Sequence, residues 1–590
     1  MTAWDRAARR LAAKLISELT WEEVLAPEAE GAAHVLRLAS GAEWRFRATR
    51  RIWDNLDIDP ESLTATTGDP DPLRLVVEAR TELGMTPATE AMFLRELSNT
   101  LAADLAIARR WGGLRSEDLI ALPPDRLQAA LEGHPKAVAS KGRLGWGAAD
   151  HADYAPESTP DVTPCWLAVD PDLCRTGSGA DADVDTVLEA TLGARDHARL
   201  RAAAAEAGVA GHVLVPVHPW QLDAHIRQAF VAEIERGQVV PLGAFGPPMQ
   251  PTASLRTLSA PGAAYDLKLA LGLLNTSAWR GMPGKYIRHG GAISDWLAGL
   301  VAADPVLDGT VSVLREVRGV WVEHPILARC PDAPYRHHEM LGAIWRESAG
   351  ARLPGTRPVM AAALFHEGAD RVPLALAHAR AAGMTIDAWL AELFRVTVVP
   401  LWHMLCRYGT GFIAHGQNVT VVLDGDRPVG MALKDFQGDL DLVDRQFPEM
   451  GGLDPRIRAL LPRKPPPVIV HDIQTAHFVT VLRFLSAALA RAGAIGEPAF
   501  YALLRDALLA HRRAHPELEE RFALFDLFAP AMPKVCINRV RLAQGYEDSA
   551  ARPLPARGQD LVNPLHAGAE TPVVGAHAGG MRTPDPAGAN

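Results

Sequence analysis

The stretch from Phe412 to Asp439 constrains this chain more than any other. Val419 to Leu423 is a β-branched apolar run, Pro428 to Leu433 is a second, and Asp424-Gly425-Asp426-Arg427 between them is turn chemistry. That pattern predicts a β-hairpin. A turn centred near Gly425 or Asp426 makes the numbers of paired residues sum to about 852, within a slip of about two. Gln417 and Asn418 then lie beside Asp435 and Lys434 at the open end, close to His415. An imidazole, two amides, a carboxylate and an ammonium thus meet where a paired backbone can hold them.

The chain has 590 residues, 48% hydrophobic and 22% charged, with a net charge of −10. One core seldom serves such a length, so two or three domains are expected. No Lys/Arg run is interleaved with aromatics, which argues against nucleic acid as a partner. The five cysteines are scattered without a CxxC pair and are odd in number, as expected of reduced, mostly buried thiols in a cytoplasm. Met1 to Arg10 carries four charged residues and no signal-peptide core. No uninterrupted apolar run reaches about 18 residues, so no membrane span is expected.

Residues 1 to about 130 read as helical, for example Asp5 to Leu19 and Glu90 to Trp111, with a loop from Ile58 to Asp71. From about 164 the texture turns mixed: Cys165 to Val169 and Gly211 to Val217 read as strands, Asp196 to Ala207 as a helix. Beyond about 360 helices dominate around the hairpin, and Pro400 predicts a kink within Asp387 to Met404. Residues 551–590, rich in Pro, Gly and Ala, read as a disordered tail. The fold class is α+β.

A second hairpin is predicted around Gly262, placing Arg256 opposite Lys268 with Ser254 on the face of Arg256. Like charges directly opposite are destabilising unless an anion lies between them, and two cations near hydroxyls suit a polyphosphate. Thr276 or Ser277 reads as a helix cap whose free N–H groups would meet an anion, with Arg280 about one turn on. His218-Pro219-Trp220-Gln221 reads as a strand-to-helix junction with Pro219 at the first helical position. Gly133-His134-Pro135 with Lys141-Gly142-Arg143 reads equally as a basic loop or a linker. Lys534, in Pro533-Lys534-Val535-Cys536, reaches a phosphate or snorkels to solvent. The sequence carries no GxxxxGK[ST], GxGxxG, HExxH or GxSxG signature. What remains is an anion-binding hairpin plus an oxygen-rich corner suited to Mg²⁺.

The ordered set His218-Pro219-Trp220-Gln221, Ser254-x-Arg256-Thr257, Lys268, Thr276-Ser277-x-x-Arg280, His415-Gly416-Gln417-Asn418 and Lys434-Asp435-Phe436-Gln437-Gly438-Asp439 resembles the aerobactin-synthetase (IucA/IucC) family. These are siderophore synthetases independent of nonribosomal peptide synthetases. The match runs from about 130 to 540. The resemblance implies a cupped hand, with a helical thumb over 1–163, mixed α/β fingers over 164–360, and a mainly helical palm over 361–550. It implies ATP- and Mg²⁺-dependent condensation of citrate or a citrate derivative with an amine, hydroxylamine or alcohol, and a homodimer.

Carried over by motif, Ser254, Arg256, Thr257 and Lys268 hold the phosphates, while His415, Gln417, Asn418 and Asp435 line the nucleotide side. Gln417, Asn418 and Asp435 are the metal candidates, and Thr276, Ser277, Arg280 and His415 the carboxylate-substrate candidates. Arg256, Lys268, Arg280 and His415 are the catalytic set, and Lys534 matches a lysine near the palm's end. Two positions depart from the family pattern: Ile413 stands where many members have Glu, and Ala137-Val138 where a second His-Pro often follows. Three classes stay open on these residues: an AMP-forming ligase, an ADP-forming ligase or phosphotransferase, and a non-catalytic binder of citrate or its iron complex.

Overall fold

The computed structural model describes residues 2–276, 278–545 and 556–566. The first helix, Ala3–Trp21, opens with a capping box in which Thr2 accepts the Asp5 N–H at 3.1 Å. Its apolar face packs on the long helix Pro87–Arg110. Between them the helical expectation fails. Ala33–Arg37 and Glu43–Phe46 pair antiparallel, flanked by Glu28–Glu30 and Thr64–Ala65. Trp44 and Phe46 are buried while Arg45 between them is exposed, a period of two that favours a half-buried strand.

Two sheets build the middle of the chain. Cys165–Val169 is the central strand of a three-stranded sheet, between Val239–Ala244 and Val213–Val217. A six-stranded antiparallel sheet runs in the order Gln250–Pro251, Thr257–Ser259, Tyr265–Leu269, Gly342–Glu347, Glu316–Val322, Cys174–Ser178. In its register Arg346 faces Asp266 on one neighbour and Glu316 on the other. Side chains directly opposite share a face, so a cation stands between two carboxylates, and Lys268 joins that face two residues beyond Asp266.

The hairpin forms as expected. Val419 pairs with Leu433, Thr420 with Ala432, Val421 with Met431 and Val422 with Gly430, and a one-residue irregularity follows before the turn. It lies in a four-stranded sheet between Arg357–Met360 and Val311–Val313, the latter parallel. That last contact brings the two sheets together. Val313 pairs with Leu433, and three residues later Glu316 pairs with Arg346 in the six-stranded sheet. Lys434 and Asp435, leaving the hairpin, are therefore delivered against the charged face of the other sheet.

Around this hairpin the helices close a large core containing Trp389, Trp402 and Phe500. The interruption expected at Pro400 falls between Ile386–Val396 and Val398–Tyr408. Proline clashes with the carbonyl four residues before it, which here is Val396, so the break precedes the ring. Residues Pro466–Arg491 make a helix long and apolar enough to cross a membrane by composition, but 78% of its apolar window is buried in this fold. The cysteines are all free thiols, with Cys174, Cys406 and Cys536 buried.

The tail reading needs correction for residues 556–566. Ala556–Arg557 pairs with Val535–Cys536, Leu561–Val562 pairs with Ala531–Met532, and Leu561 and Leu565 are buried. Two large apolar side chains, Leu561 and Leu565, suffice to dock a short segment that bulk composition marks as featureless. The rest of 551–590 lies outside the described residues.

Candidate active site

Lys268 and Asp435 meet across the two sheets. The Lys268 ammonium donates to Asp435 Oδ1 at 2.7 Å, and Arg346 Nη1 donates to the same oxygen at 2.9 Å. Arg346 Nη2 reaches Asp266 Oδ2 at 2.9 Å. Although burial opposes ionisation of Asp435, the Lys268 and Arg346 charges hold its carboxyl far below the usual range. Asp435 has a left-handed φ of 67°, and so do Leu255 (66°) and Thr276 (57°). For a leucine and a β-branched threonine that conformation costs energy, and it concentrates where ligands are held.

Glu316 completes the group. Both its carboxylate oxygens are buried beside the Gln437 side chain; burial pushes its carboxyl up, against the Lys268 charge and the Gln437 amide, which lower it. Gln437, also buried, lies against it; a Cβ on Gly290 would stand 2.2 Å from Gln437 Nε2 and 3.1 Å from Glu316 Oε2. Only glycine at 290 leaves that space. Lys434 is lowered to about 8 by burial and by the nearby Arg346 charge. Burial, followed by the Asp266 charge, raises Asp125 to about 6.

The expected register of the second hairpin is off by one. Lys268 pairs with Thr257, and the Leu269 N–H donates to the Arg256 carbonyl at 2.7 Å. Arg256 therefore does not oppose Lys268; it lies just before the strand, and its guanidinium donates to the Gly281 carbonyl. The turn around Gly262 is asymmetric, and the positive φ at Leu255 bends the chain before pairing begins. Ser254 Oγ bonds Thr252 Oγ1 at 3.2 Å, and Thr257 is buried beside Lys268.

The helix expected at Thr276 is absent. Leu271–Asn275 and Ala278–Arg280 are instead the two strands of a hairpin with Thr276 in its turn; Ser277 lies outside the described residues. The apolar run Leu271, Leu273, Leu274 is buried and pairs more readily than it coils. Arg280 folds back to the Asn275 carbonyl at 2.9 Å and to Thr276 Oγ1, while Arg541 donates to the Thr276 carbonyl.

His415 stands between the two groups. Burial lowers its pKa and keeps the ring neutral; the Asp439 and Asp435 charges oppose that shift, and the Lys434 and Arg280 charges add to it. Its Nδ1 accepts the Gln417 N–H at 3.2 Å, leaving Nε2 as the outward nitrogen. The loop is fixed from below by close packing, since a Cβ on Gly416 would come within 2.8 Å of Ala362 Cβ. Asn418 does not turn to Lys434: its Nδ2 donates to Asp439 Oδ2 at 3.0 Å and to the Ile413 carbonyl at 3.2 Å. Its amide is thus committed to holding the loop.

Among the other motifs, His134 approaches His415 and Arg280 closely enough for their charges to act on it, and burial first, then those neighbours, lower it to about 3. Lys141 and Arg143 beside it are buried in pairs with Asp104 and Glu157. His218 caps the helix that Pro219 begins; burial alone lowers it to about 3. Gln221 braces Gly272 and Met340. Lys534 neither snorkels nor joins the Lys268 group: it is buried, donating to Glu23 Oε1 at 2.8 Å and to the Trp21 carbonyl at 2.9 Å. Sequence reasoning missed Arg346, Glu316 and Asp266. Each sits in a strand whose partner is far along the chain, and only the sheet register reveals the row they form.

The comparisons with known proteins agree with this architecture. The IucA / IucC family model matches residues 125–366, and a model described as ferric iron reductase FhuF-like transporter matches 387–550. The chain is 40% identical to an aerobactin synthase of Escherichia coli over 568 residues, 95% of this chain and 98% of that protein. It is 37% identical to the rhizobactin siderophore biosynthesis protein RhbF of Rhizobium meliloti over 575 residues, 95% and 96% of the two chains. The structure of aerobactin synthetase IucC from Klebsiella pneumoniae superposes with a TM-score of 0.86 at 38% identity, covering 95% of this chain and 98% of that one. ATP-bound aerobactin synthetase IucA from the same organism, 19% identical with a TM-score of 0.75 over 94% and 99% of the chains, shares the fold. The chain belongs to the IucA/IucC family of siderophore synthetases.

Proposed function

We propose that this protein activates a carboxylate of citrate, or of a citrate derivative, as an acyl-adenylate and transfers it to an amine, hydroxylamine or alcohol. The observation that carries this reading is the joined cationic row. Lys268, Lys434 and Arg346 are gathered against Asp435, and Arg256 and Arg280 stand on the neighbouring hairpins. Such a field, part-buried and fixed by sheet register, suits a triphosphate and a polycarboxylate side by side. Relatives bear names such as citryl-spermidine/3,4-dihydroxybenzoyl-citryl-spermidine:spermidine ligase, in Bacillus anthracis, and N(2)-citryl-N(6)-acetyl-N(6)-hydroxylysine synthase, in Vibrio mimicus. That the similarly folded IucA structure is ATP-bound supports the nucleotide.

In this reading a substrate carboxylate oxygen attacks the α-phosphorus, the bond from that phosphorus to the α,β-bridging oxygen breaks, and pyrophosphate leaves. Lys268 and Arg256 take the charge that grows on the departing phosphates, with Ser254 and Thr257 beside them. Arg280 and Thr276, tied to one another, orient the acid, and Ser277 belongs to the same motif. The neutral His415 presents Nε2 between acid and phosphate, where it positions the carboxylate or accepts the nucleophile's proton as the amine displaces AMP. Mg²⁺ fits the donor chemistry: Glu316 is a fully buried carboxylate next to Asp435 and the Gln437 amide, so oxygen ligands are gathered in one place. Those three would hold it more readily than Gln417 and Asn418, whose amide is already engaged; bound there, it would neutralise phosphate charge. Lys534, away from the row, acts through the thumb-to-palm packing. The thumb, fingers and palm division at 163 and 360, a homodimer and a cytoplasmic location complete the proposal.

Nucleotide chromatography after incubation with ATP, Mg²⁺ and a matrix of polycarboxylates against diamines and hydroxylamines tests it. AMP and pyrophosphate are expected with one acid–amine pair. ADP and phosphate would establish the acyl-phosphate route, and binding without turnover across the matrix would establish a carrier. A second test uses Lys434, which sheds its proton near pH 8. The KM for ATP should rise several-fold between pH 7.5 and about 9, and Lys434→Arg should flatten that rise because guanidinium stays charged.

A further inference from the structure

Away from this cleft three imidazoles converge. His403 lies on the helix Val398–Tyr408, His511 in the last turn of Glu497–Ala514, and His515 just past its end. One ring nitrogen from each lies within 4.8 Å of the others, with His403 Nδ1 and His511 Nε2 only 3.1 Å apart. A tetrahedral Zn²⁺ with bonds of about 2.05 Å sets its ligand nitrogens about 3.3 Å apart, so a small movement of His515 closes the set. His403 and His511 are buried, whereas the His515 side chain is 23% exposed and opens the group to solvent.

The surroundings supply a second, independent sign. His403 Nε2 faces Asp304 Oδ2 at 3.0 Å, and the Tyr408 hydroxyl donates to the same oxygen at 2.6 Å. That carboxylate fixes the His403 proton on Nε2 and turns the Nδ1 lone pair toward the other rings. His515 Nδ1 faces Glu517 Oε1 at 3.1 Å, which leaves Nε2 as its ligand atom. Carboxylates behind two of three histidines are the arrangement that orients metal-bound imidazoles and offsets the ion's charge.

We propose that His403, His511 and His515 bind one Zn²⁺, with water in the fourth position and Asp304 and Glu517 orienting the ligands. Three nitrogen donors select zinc over Mg²⁺, which prefers oxygen. The site joins the end of one palm helix to the helix that leads, through Gly409 and Thr410–Phe412, to the His415 loop. It is a clasp behind the active site. In the metal-free protein His511 Nε2–H donates to His403 Nδ1; on binding, that proton moves to His511 Nδ1 and both facing nitrogens become ligands.

The test uses untagged, full-length protein stripped with a chelator, titrated with Co²⁺ and then Zn²⁺. One equivalent of Co²⁺ should give the intense visible bands of a tetrahedral site, and Zn²⁺ should displace them. His515→Ala, at a partly exposed position, should weaken binding at least tenfold, as should Glu517→Gln, which removes only an orienting carboxylate. Zn²⁺ should raise the unfolding midpoint of the wild type and of neither variant. Failure of the wild type to bind an equivalent, or equal affinity in wild type and both variants, would show the cluster to be a hydrogen-bonded network alone.

Discussion

Lys268→Ala and Arg256→Ala should each lower acid-dependent ATP/pyrophosphate exchange by about 10²–10³, the cost of removing one fixed donor from a developing anion. Both variants should remain folded. Asp435 keeps its second cation, Arg346, when Lys268 is removed, and Arg256 is half-buried with a carbonyl acceptor. The distinction lies in which constant changes. If these residues meet the phosphates mainly as they leave, kcat falls; if they merely hold ATP, KM rises with kcat unchanged. Exchange at wild-type rates in both variants would remove the phosphate assignment. The two cations need not face one another across a hairpin for this. The register puts Thr257 opposite Lys268, so the two residues approach a ligand from different sides.

Arg346→Met should have the largest effect on stability, about 3–5 kcal/mol, because it strands the buried Asp266 carboxylate without its partner and leaves Asp435 with Lys268 alone. Arg346 is the only residue that bonds both Asp266 and Asp435 among the described residues. Burial opposes its charge, yet Asp435 and Asp266 raise its pKa beyond the ordinary range, so both signs of charge depend on the contact. Urea titration followed by tryptophan fluorescence checks this, since Trp345 is fully buried next to it. The triple variant Arg346→Met, Asp266→Asn, Asp435→Asn should recover much of the loss while remaining inactive. A single variant as stable as wild type would show that the row adds nothing to the joint between the sheets.

Much of this was legible in the residues because it is local. The hairpin register followed from two apolar runs and a four-residue turn, and four pairs sum as expected. His218 and Pro219 start a helix as their chemistry requires. Local rules failed where the chain had two comparable options. Thr276 and Ser277 offer good capping chemistry, but the flanking leucines are used in strands, so tertiary pairing overrode the cap. The Gly262 hairpin is off by one because its register depends on the turn centre, which a Ser-Ala-Pro-Gly-Ala stretch leaves open by a residue. Arg346 and Glu316 were invisible for another reason: they are 30 residues apart from one another, and Arg346 is 80 from Asp266 and 89 from Asp435. Their meaning appears only when the strand Val311–Val313 joins one sheet and Glu316–Val322 the next.

Tracing oxygen from the acid tests the central claim most directly. The enzyme is supplied with ATP, Mg²⁺, the amine and a polycarboxylate whose carboxyl groups carry ¹⁸O, and the nucleotide and phosphate products are weighed by mass spectrometry. Attack of the carboxylate on the α-phosphorus predicts AMP heavier by one ¹⁸O and unlabelled pyrophosphate. Unlabelled nucleotide with ¹⁸O in inorganic phosphate would contradict it.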